Sequence, residues 1–267
     1  ADREAFYGDP DFASVPIDGL LSKAYAATRI PLLREDEAWP EIPPAGDPWE
    51  YSTVSRPAPS MTGISDPPTS GPGTDHGTTH LAAIDGEGNI ICATPSGAAF
   101  FKSIYFPELG LALSTRSEMF FVDEHHPNGI APGKRPRTTL VNYMVCQGDQ
   151  PFMTVGCPGG DNQAQSDIQI VLNVLVFGMN PQEAVEAPRF ASQSMTNSFY
   201  PRVYRPGHLD VEPGITSEVQ LQLEAMGHKV VEAFPCGYGA TVTRREVDSG
   251  ILSAGADNRT ASYAIAW

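Results

Sequence analysis

His76-Gly77-Thr78-Thr79-His80-Leu81-Ala82-Ala83-Ile84-Asp85 decides how this chain is read. A small residue stands before a Thr, and that Thr opens a β-rich run. In such an arrangement the Thr78 hydroxyl can attack the Gly77 carbonyl, and scission leaves Thr78 with a free α-amine. The amine then acts as base for the hydroxyl of its own residue, which activates a nucleophile that is weak alone and needs no His. By itself, Gly-Thr-Thr-His equally fits two β-branched strand residues, so the decision rests on the remainder of the chain.

Outward from that stretch, further segments stand in a fixed order. They are Ala1-Asp2-Arg3 with Gly8-Asp9-Pro10-Asp11-Phe12, then Thr78-Thr79-His80, then Pro132-Gly133-Lys134-Arg135-Pro136, then Pro158-Gly159-Gly160, then Ala187-Pro188-Arg189-Phe190, and last Gly255-Ala256-Asp257-Asn258-Arg259. In sequence and order these resemble the γ-glutamyltranspeptidase (γ-glutamyltransferase) family over nearly the whole chain. The resemblance implies an α+β fold, a four-layer αββα sandwich of the N-terminal-nucleophile type. It also implies self-cleavage between Gly77 and Thr78. Residues 1–77 would be the tail of a large subunit with a Pro-rich pro-segment, and residues 78–267 the complete small, catalytic subunit. The natural N-terminus would then lie upstream, and the rest of the large subunit would be the partner of this piece.

Composition sets limits. At 267 residues the chain can bury one sizeable core or two small ones. A formal charge of −15 argues against nucleic acid or an anionic membrane as partner and fits a soluble acidic surface. Cys92, Cys146, Cys157 and Cys236 show neither CxxC spacing nor the density of a small secreted scaffold. No apolar run reaches the length of a membrane span. The chain opens on Asp2-Arg3-Glu4 without a signal-type apolar segment. The compartment stays open.

In chain order, Arg3–Tyr7 reads as a helix end and Ile17–Arg29 as one short amphipathic helix. From Glu37 to Gly77, prolines interspersed with Gly and Ser describe an extended segment, either a flexible linker or a pro-segment ending at the scissile bond. Two β-type runs, Thr78–Ile84 and Ile90–Thr94, flank a Gly-containing hairpin loop. The return strand brings Thr94-Pro95-Ser96-Gly97 beside Thr78. By resemblance Ser96 stands where the family has a Thr whose hydroxyl bonds the nucleophile. Leu109–Ser114 reads as a strand leading to Thr115-Arg116-Ser117-Glu118-Met119.

Two positions depart from the family pattern. Met119 replaces the Asp that holds the ammonium of a γ-glutamyl donor, and Ala98 replaces an Asn. Neighbours in a strand point to opposite faces, so Glu118 is no simple substitute. Arg116 is a solvent-facing Arg or, given its planar fork, the binder of a substrate carboxylate. The donor is therefore γ-glutamyl, or an acyl group such as glutaryl that lacks the amine. Asp123, Glu124, His125 and His126 are adjacent rather than convergent, so no metal is expected. The family chemistry needs no cofactor.

Thr138 and Thr139 follow Lys-Arg-Pro-Arg, where the family fixes a substrate carboxylate with two hydroxyls; a strand is read over Thr139–Val145. Phe152–Val155 reads as a buried strand. It runs into Pro158-Gly159-Gly160, and Gln163–Phe177 follows as an apolar helix stopped by Gly178. Strand, Gly-Gly and helix together present unpaired N–H groups; by resemblance Gly159 and Gly160 form the oxyanion hole. Cys157 lacks a His companion and reads as packing. Asn180-Pro181-Gln182-Glu183 is a capping box, Thr216–Met226 a helix, and 228–233, 240–247, 251–254 and 261–267 strands. The acceptor of the acyl group would be water or an amine. The alternative is an inactive fragment with a structural or binding role.

Overall fold

Asp85 closes the first hairpin. Its carboxylate accepts the backbone N–H groups of Glu87 (3.0 Å) and Asn89 (2.9 Å) as well as the Asn89 amide. Gly88 turns the chain at φ +88°, a conformation open to Gly at no steric cost. The hairpin joins β1 (Leu81–Ile84) to β2 (Ile90–Ala93), with Leu81 opposite Ala93 and Ile84 opposite Ile90. The computed structural model describes residues 1–57, 77–97 and 103–266. Residues 58–76 of the Pro-rich segment, His76 among them, and also Ala98 lie outside the described residues.

Ahead of the hairpin come α1 (Asp2–Phe6), α2 (Ile17–Leu20) and α3 (Lys23–Arg29). The single helix expected over Ile17–Arg29 is two, because the Ser22 hydroxyl accepts the Tyr25 N–H (3.0 Å) and starts α3 anew. After the hairpin, β3 (Tyr105–Phe106) and β4 (Leu111–Ala112) form a short ribbon. Arg116–Met119 is a turn of 3-10 helix rather than the end of a strand. The argument that Glu118 and Met119 face opposite ways therefore does not apply.

The principal sheet is antiparallel in the order β11, β10, β6, β5, built from β5 (Tyr143–Gln147), β6 (Gln150–Gly156), β10 (Thr241–Arg245) and β11 (Leu252–Ala256). The strand expected from Thr139 starts at Tyr143, since the Val141 N–H is taken by the Gln163 side chain (3.0 Å). On one face of this sheet lie α4 (Gln163–Leu175) and α5 (Pro181–Glu186), enclosing Met153, Val155, Ile170, Val174, Val185 and Val242. Each such side chain, fully buried, contributes roughly 1.5–3 kcal/mol. On the other face, β1 packs over β10 and β2 over β6. Helix, sheet and hairpin are thus three of the expected layers, and Leu81 and Ile91 on the hairpin's outer face remain about half exposed.

A second sheet was not foreseen in full. It holds β7 (Phe190–Ser192), β8 (His208–Val211) and β9 (Lys229–Glu232), with β8 and β9 parallel through α6 (Ser217–Ala225). The capping box at Asn180 forms as expected, with Asn180 Oδ1 accepting from Gln182 and Glu183 and Glu183 accepting from the Asn180 N–H. Residues 261–266, read as a strand, belong to none.

The segments that were far apart in sequence interlock in pairs. Asp9 accepts from the Arg135 backbone (2.9 Å) and from its guanidinium (2.6 and 3.1 Å). Those bonds hold the Asp9 carboxyl well below the usual carboxylate range. Arg189, fully buried, pairs with Asp257 at 2.5 Å, and Arg259 bridges Asp257 and Glu212.

Candidate active site

Thr78 and Ser96 face each other across an isolated antiparallel bridge, fixed by the Thr79 N–H on the Pro95 carbonyl (3.1 Å). Their hydroxyl oxygens are 2.7 Å apart. The hairpin creates this pairing, because β1 and β2 are in register directly beyond it. Ser96 Oγ also accepts from Arg116 Nη2 at 2.7 Å, and Arg116 Nη1 donates to Thr139 Oγ1 at 3.2 Å. A chain of polar contacts therefore runs Thr78, Ser96, Arg116, Thr139. Gly77, one residue before, sits at φ +138°, where a side chain would be strained.

Arg116 is partly buried with its guanidinium 5.4 Å from the Phe199 ring centre. Met119 is completely buried against Phe199, and its carbonyl accepts from Asn128 Nδ2 (2.7 Å) and Arg202 Nη2 (3.0 Å). Met119 is a packing residue in this structure. Of the two hydroxyls expected to hold a carboxylate, Thr139 is buried and joins Arg116, while Thr138 is exposed and accepts the Leu140 N–H (3.1 Å).

Gly159 and Gly160 lie between β6 and α4 at φ +130° and +55°. Gly160–Asn162 form a 3-10 turn that feeds α4. Pro158, immediately before them, lines a cavity of about 410 Å³ together with Thr78, His80, Tyr238, Thr241 and Tyr263. The Gly-Gly turn thus starts at the wall of the space that Thr78 also borders. Arg3, from α1, donates to Asp161 directly after that turn. Sequence reading gave Asp161 no role, since its partner is distant in the chain and no local pattern links them.

Burial pushes His80 down to about 4, against the opposing bond from Asn142, so its ring is neutral at pH 7. Its Nδ1 is 2.8 Å from Thr94 Oγ1, and Gly156 leaves room for it, since a Cβ there would lie 2.1 Å from the ring. Burial, reinforced by Asp167, holds the Cys157 thiol well above its ordinary range, which leaves it protonated and inert. Burial likewise raises Asp167 to about 7, with Cys157 and Arg189 pulling the other way. His126 stacks on Phe121 (3.8 Å between ring centres) and its Nε2 lies 2.8 Å from the Glu4 carbonyl. Among the described residues no three His, Cys, Asp or Glu side chains converge as metal ligands.

The model of one protein family, gamma-glutamyltranspeptidase, matches residues 1–267. The glutathione hydrolase proenzyme of Bacillus subtilis (strain 168) is 32% identical over 230 residues, covering 86% of this chain and 36% of that protein. Among solved structures, one titled "Structure of LmbA2991HD" superposes with a TM-score of 0.82 at 36% identity, covering 97% of this chain and 44% of that one. The cephalosporin acylase from Bacillus halodurans superposes with a TM-score of 0.76 at 27% identity, covering 100% of this chain and 42% of that one. The chain therefore spans less than half the length of each of these relatives. With these neighbours the α+β fold is that of the N-terminal-nucleophile hydrolases.

Proposed function

We propose, because the chain belongs to the gamma-glutamyltranspeptidase family, that it is the catalytic piece of a self-cleaving acyl transferase or hydrolase with Thr78 as nucleophile. The observation that carries this reading is the 2.7 Å approach of the Thr78 and Ser96 hydroxyls directly after a glycine at φ +138°. The Thr78 hydroxyl attacks the Gly77 carbonyl and the peptide shifts to an ester, which frees the Thr78 α-amine; water then hydrolyses that ester, releasing the Gly77 carboxylate and restoring the Thr78 hydroxyl. Residues 1–77 then belong to the large subunit and 78–267 to the small one.

In turnover the Thr78 hydroxyl adds to the amide carbonyl of the donor and its proton passes to the α-amine. The oxyanion takes the N–H groups of Gly159 and Gly160, which the surrounding fold holds in place. Collapse breaks the C–N bond and expels the amine, which takes the proton from the α-ammonium, while the acyl group stays on Thr78 as an ester. Water or an acceptor amine then attacks that ester, with the α-amine again as base. No cofactor takes part.

The donor carries a carboxylate end, for which Arg116 and Thr139 supply a cation and a hydroxyl at the head of the polar chain. A γ-glutamyl group is one such donor. The burial of Met119, where a γ-glutamyl enzyme holds the donor's ammonium, favours a second one, a glutaryl-type acyl group without the amine. Assaying the full-length protein with γ-glutamyl and glutaryl anilides side by side tests both. Turnover of either supports the enzyme, a strong γ-glutamyl preference removes the second donor, and no turnover of any amide favours an inert fragment.

A further inference from the structure

Asp161 directly follows Gly159 and Gly160, and its side chain is only 4% exposed. Each oxygen is engaged: Oδ1 accepts from Arg3 and from Ser198 Oγ (2.7 Å), and Oδ2 accepts from the Ser198 N–H (2.6 Å). Arg3 also donates to the Thr196 carbonyl (2.7 Å) and, through Nε, to Glu4 (2.9 Å). Glu4 in turn accepts from Arg137 Nη1 at 3.0 Å, and Arg137 Nη2 reaches Ser198 Oγ at 3.3 Å. Arg137 immediately precedes Thr138 and Thr139. One part-buried cluster therefore grips the turn that carries the oxyanion donors and the segment that carries the Thr139 hydroxyl. Two of its five members, Arg3 and Glu4, come from α1, on the far side of the Gly77–Thr78 bond.

We infer that Arg3 and Glu4 are positioning residues for the oxyanion turn and the Thr138–Thr139 segment, so that the catalytic piece is competent only while α1 is docked on it. The inference rests on the roles proposed above for Thr78, Gly159 and Gly160. Gly159 and Gly160 adopt backbone conformations that are costless only to glycine, and glycine is also the residue least able to hold a conformation unaided. Something outside the turn must therefore fix where its N–H groups aim. A carboxylate with its lone pairs committed to a guanidinium, a hydroxyl and a backbone N–H does that, because those bonds fix both its position and its orientation. The same cluster explains why the first segment of the chain pairs with the fourth: cleavage cuts the covalent link, and the ionic link keeps α1 in register with the site.

The test uses the full-length, processed protein and a chromogenic acyl anilide. Arg3→Met is expected to lower kcat by ~10–100-fold, the scale of a small misplacement of catalytic groups, with KM for the donor changed less than about threefold. Arg3→Lys, which keeps the cation, is expected to recover part of the loss. Hydrogen exchange of the 159–163 amides, read on the same samples, is expected to quicken in Arg3→Met while exchange in β6 and β10 is unaltered. Wild-type kcat in Arg3→Met, or a rise in KM alone, overturns the inference. So does unchanged exchange at the turn, which is readable even where the wild type fails to turn over any amide, the result that would sink the proposed function instead. If Arg3→Met does not yield folded protein, Asp161→Asn is read by the same two measurements.

Discussion

Arg116 donates to Ser96 Oγ at 2.7 Å, and that oxygen is itself 2.7 Å from the hydroxyl of Thr78. A guanidinium therefore stands one hydroxyl away from the Thr78 side chain. Either hydroxyl can donate in the Thr78–Ser96 bond, and the charged N–H on Ser96 Oγ holds that oxygen in a set position beside Thr78 Oγ1.

Removing that hydroxyl separates orientation from binding. Ser96→Ala is expected to lower kcat by about 10–100-fold while leaving the donor KM within about threefold, because positioned proton-sharing groups contribute on this scale. Ser96→Thr keeps the hydroxyl and is expected to stay within about threefold of wild type. Steady-state kinetics with one anilide donor checks both.

Arg116 bonds Ser96 and, in the proposed function, also a donor carboxylate, and a change in charge tells the two apart. Arg116→Met is expected to cost a glutaryl donor about 1.5–3 kcal/mol of transition-state binding, or roughly 10–150-fold in kcat/KM. An uncharged acyl anilide loses only the effect on Ser96. Equal losses for both donors would show that Arg116 does not bind the carboxylate.

Gly77, at φ +138°, precedes the bond that the proposed function has cut. Gly77→Ala places a Cβ where L-residues are strained by ~1–3 kcal/mol, so the variant is expected to fold and to cleave itself more slowly, or to shift the bond out of reach of Thr78. The rate at which the precursor band disappears on a denaturing gel measures it, and wild-type speed would contradict the role given to this conformation.

His80 sets a pH limit. Its folded-state pKa is depressed from 6.5 to about 4, so the unfolded chain binds the proton more readily. The cost is absent above 6.5 and grows as pH falls from 6.5 towards 4, levelling off below. Unfolding midpoints followed across that window should fall with pH in the wild type and fall less in His80→Gln. Parallel curves for the two would exclude His80 as the cause.

Much of this architecture is legible in the sequence where a local chemical rule applies. Asn180 with Glu183 announces α5, Asp85 and Gly88 announce the hairpin, and the Gly-Gly run after an apolar strand announces the turn into α4. The strand expected over Leu109–Ser114 survives only as Leu111–Ala112, and the next residues coil into a 3-10 turn, since the burial of Met119 against Phe199 outweighs local preference. β8 was missed because it pairs in parallel with β9 across an intervening helix, a non-local contact without a signal of its own. The site divides the same way. Thr78, Ser96 and the two glycines are visible as motifs, whereas Arg3–Asp161 and Arg189–Asp257 are partners that only folding brings together.

The pair Arg189–Asp257 has no solvent access on either side chain. Removing one member leaves the other charge buried, at a cost of about 3–5 kcal/mol. Asp257→Asn is expected to lose that much in denaturant unfolding, and a loss below about 1 kcal/mol would show that Glu212 alone balances the buried guanidinium groups.

The central claim is that Thr78 opens the chain at its own N-terminal side and then works from the new end. Intact mass of the full-length protein after incubation, wild type beside Thr78→Ala, measures it most directly. The account predicts that the wild type divides between Gly77 and Thr78 and turns over an acyl anilide, while Thr78→Ala remains one chain and inactive. A Thr78→Ala protein that still divides there, or an undivided wild type that still turns over the anilide, would contradict it.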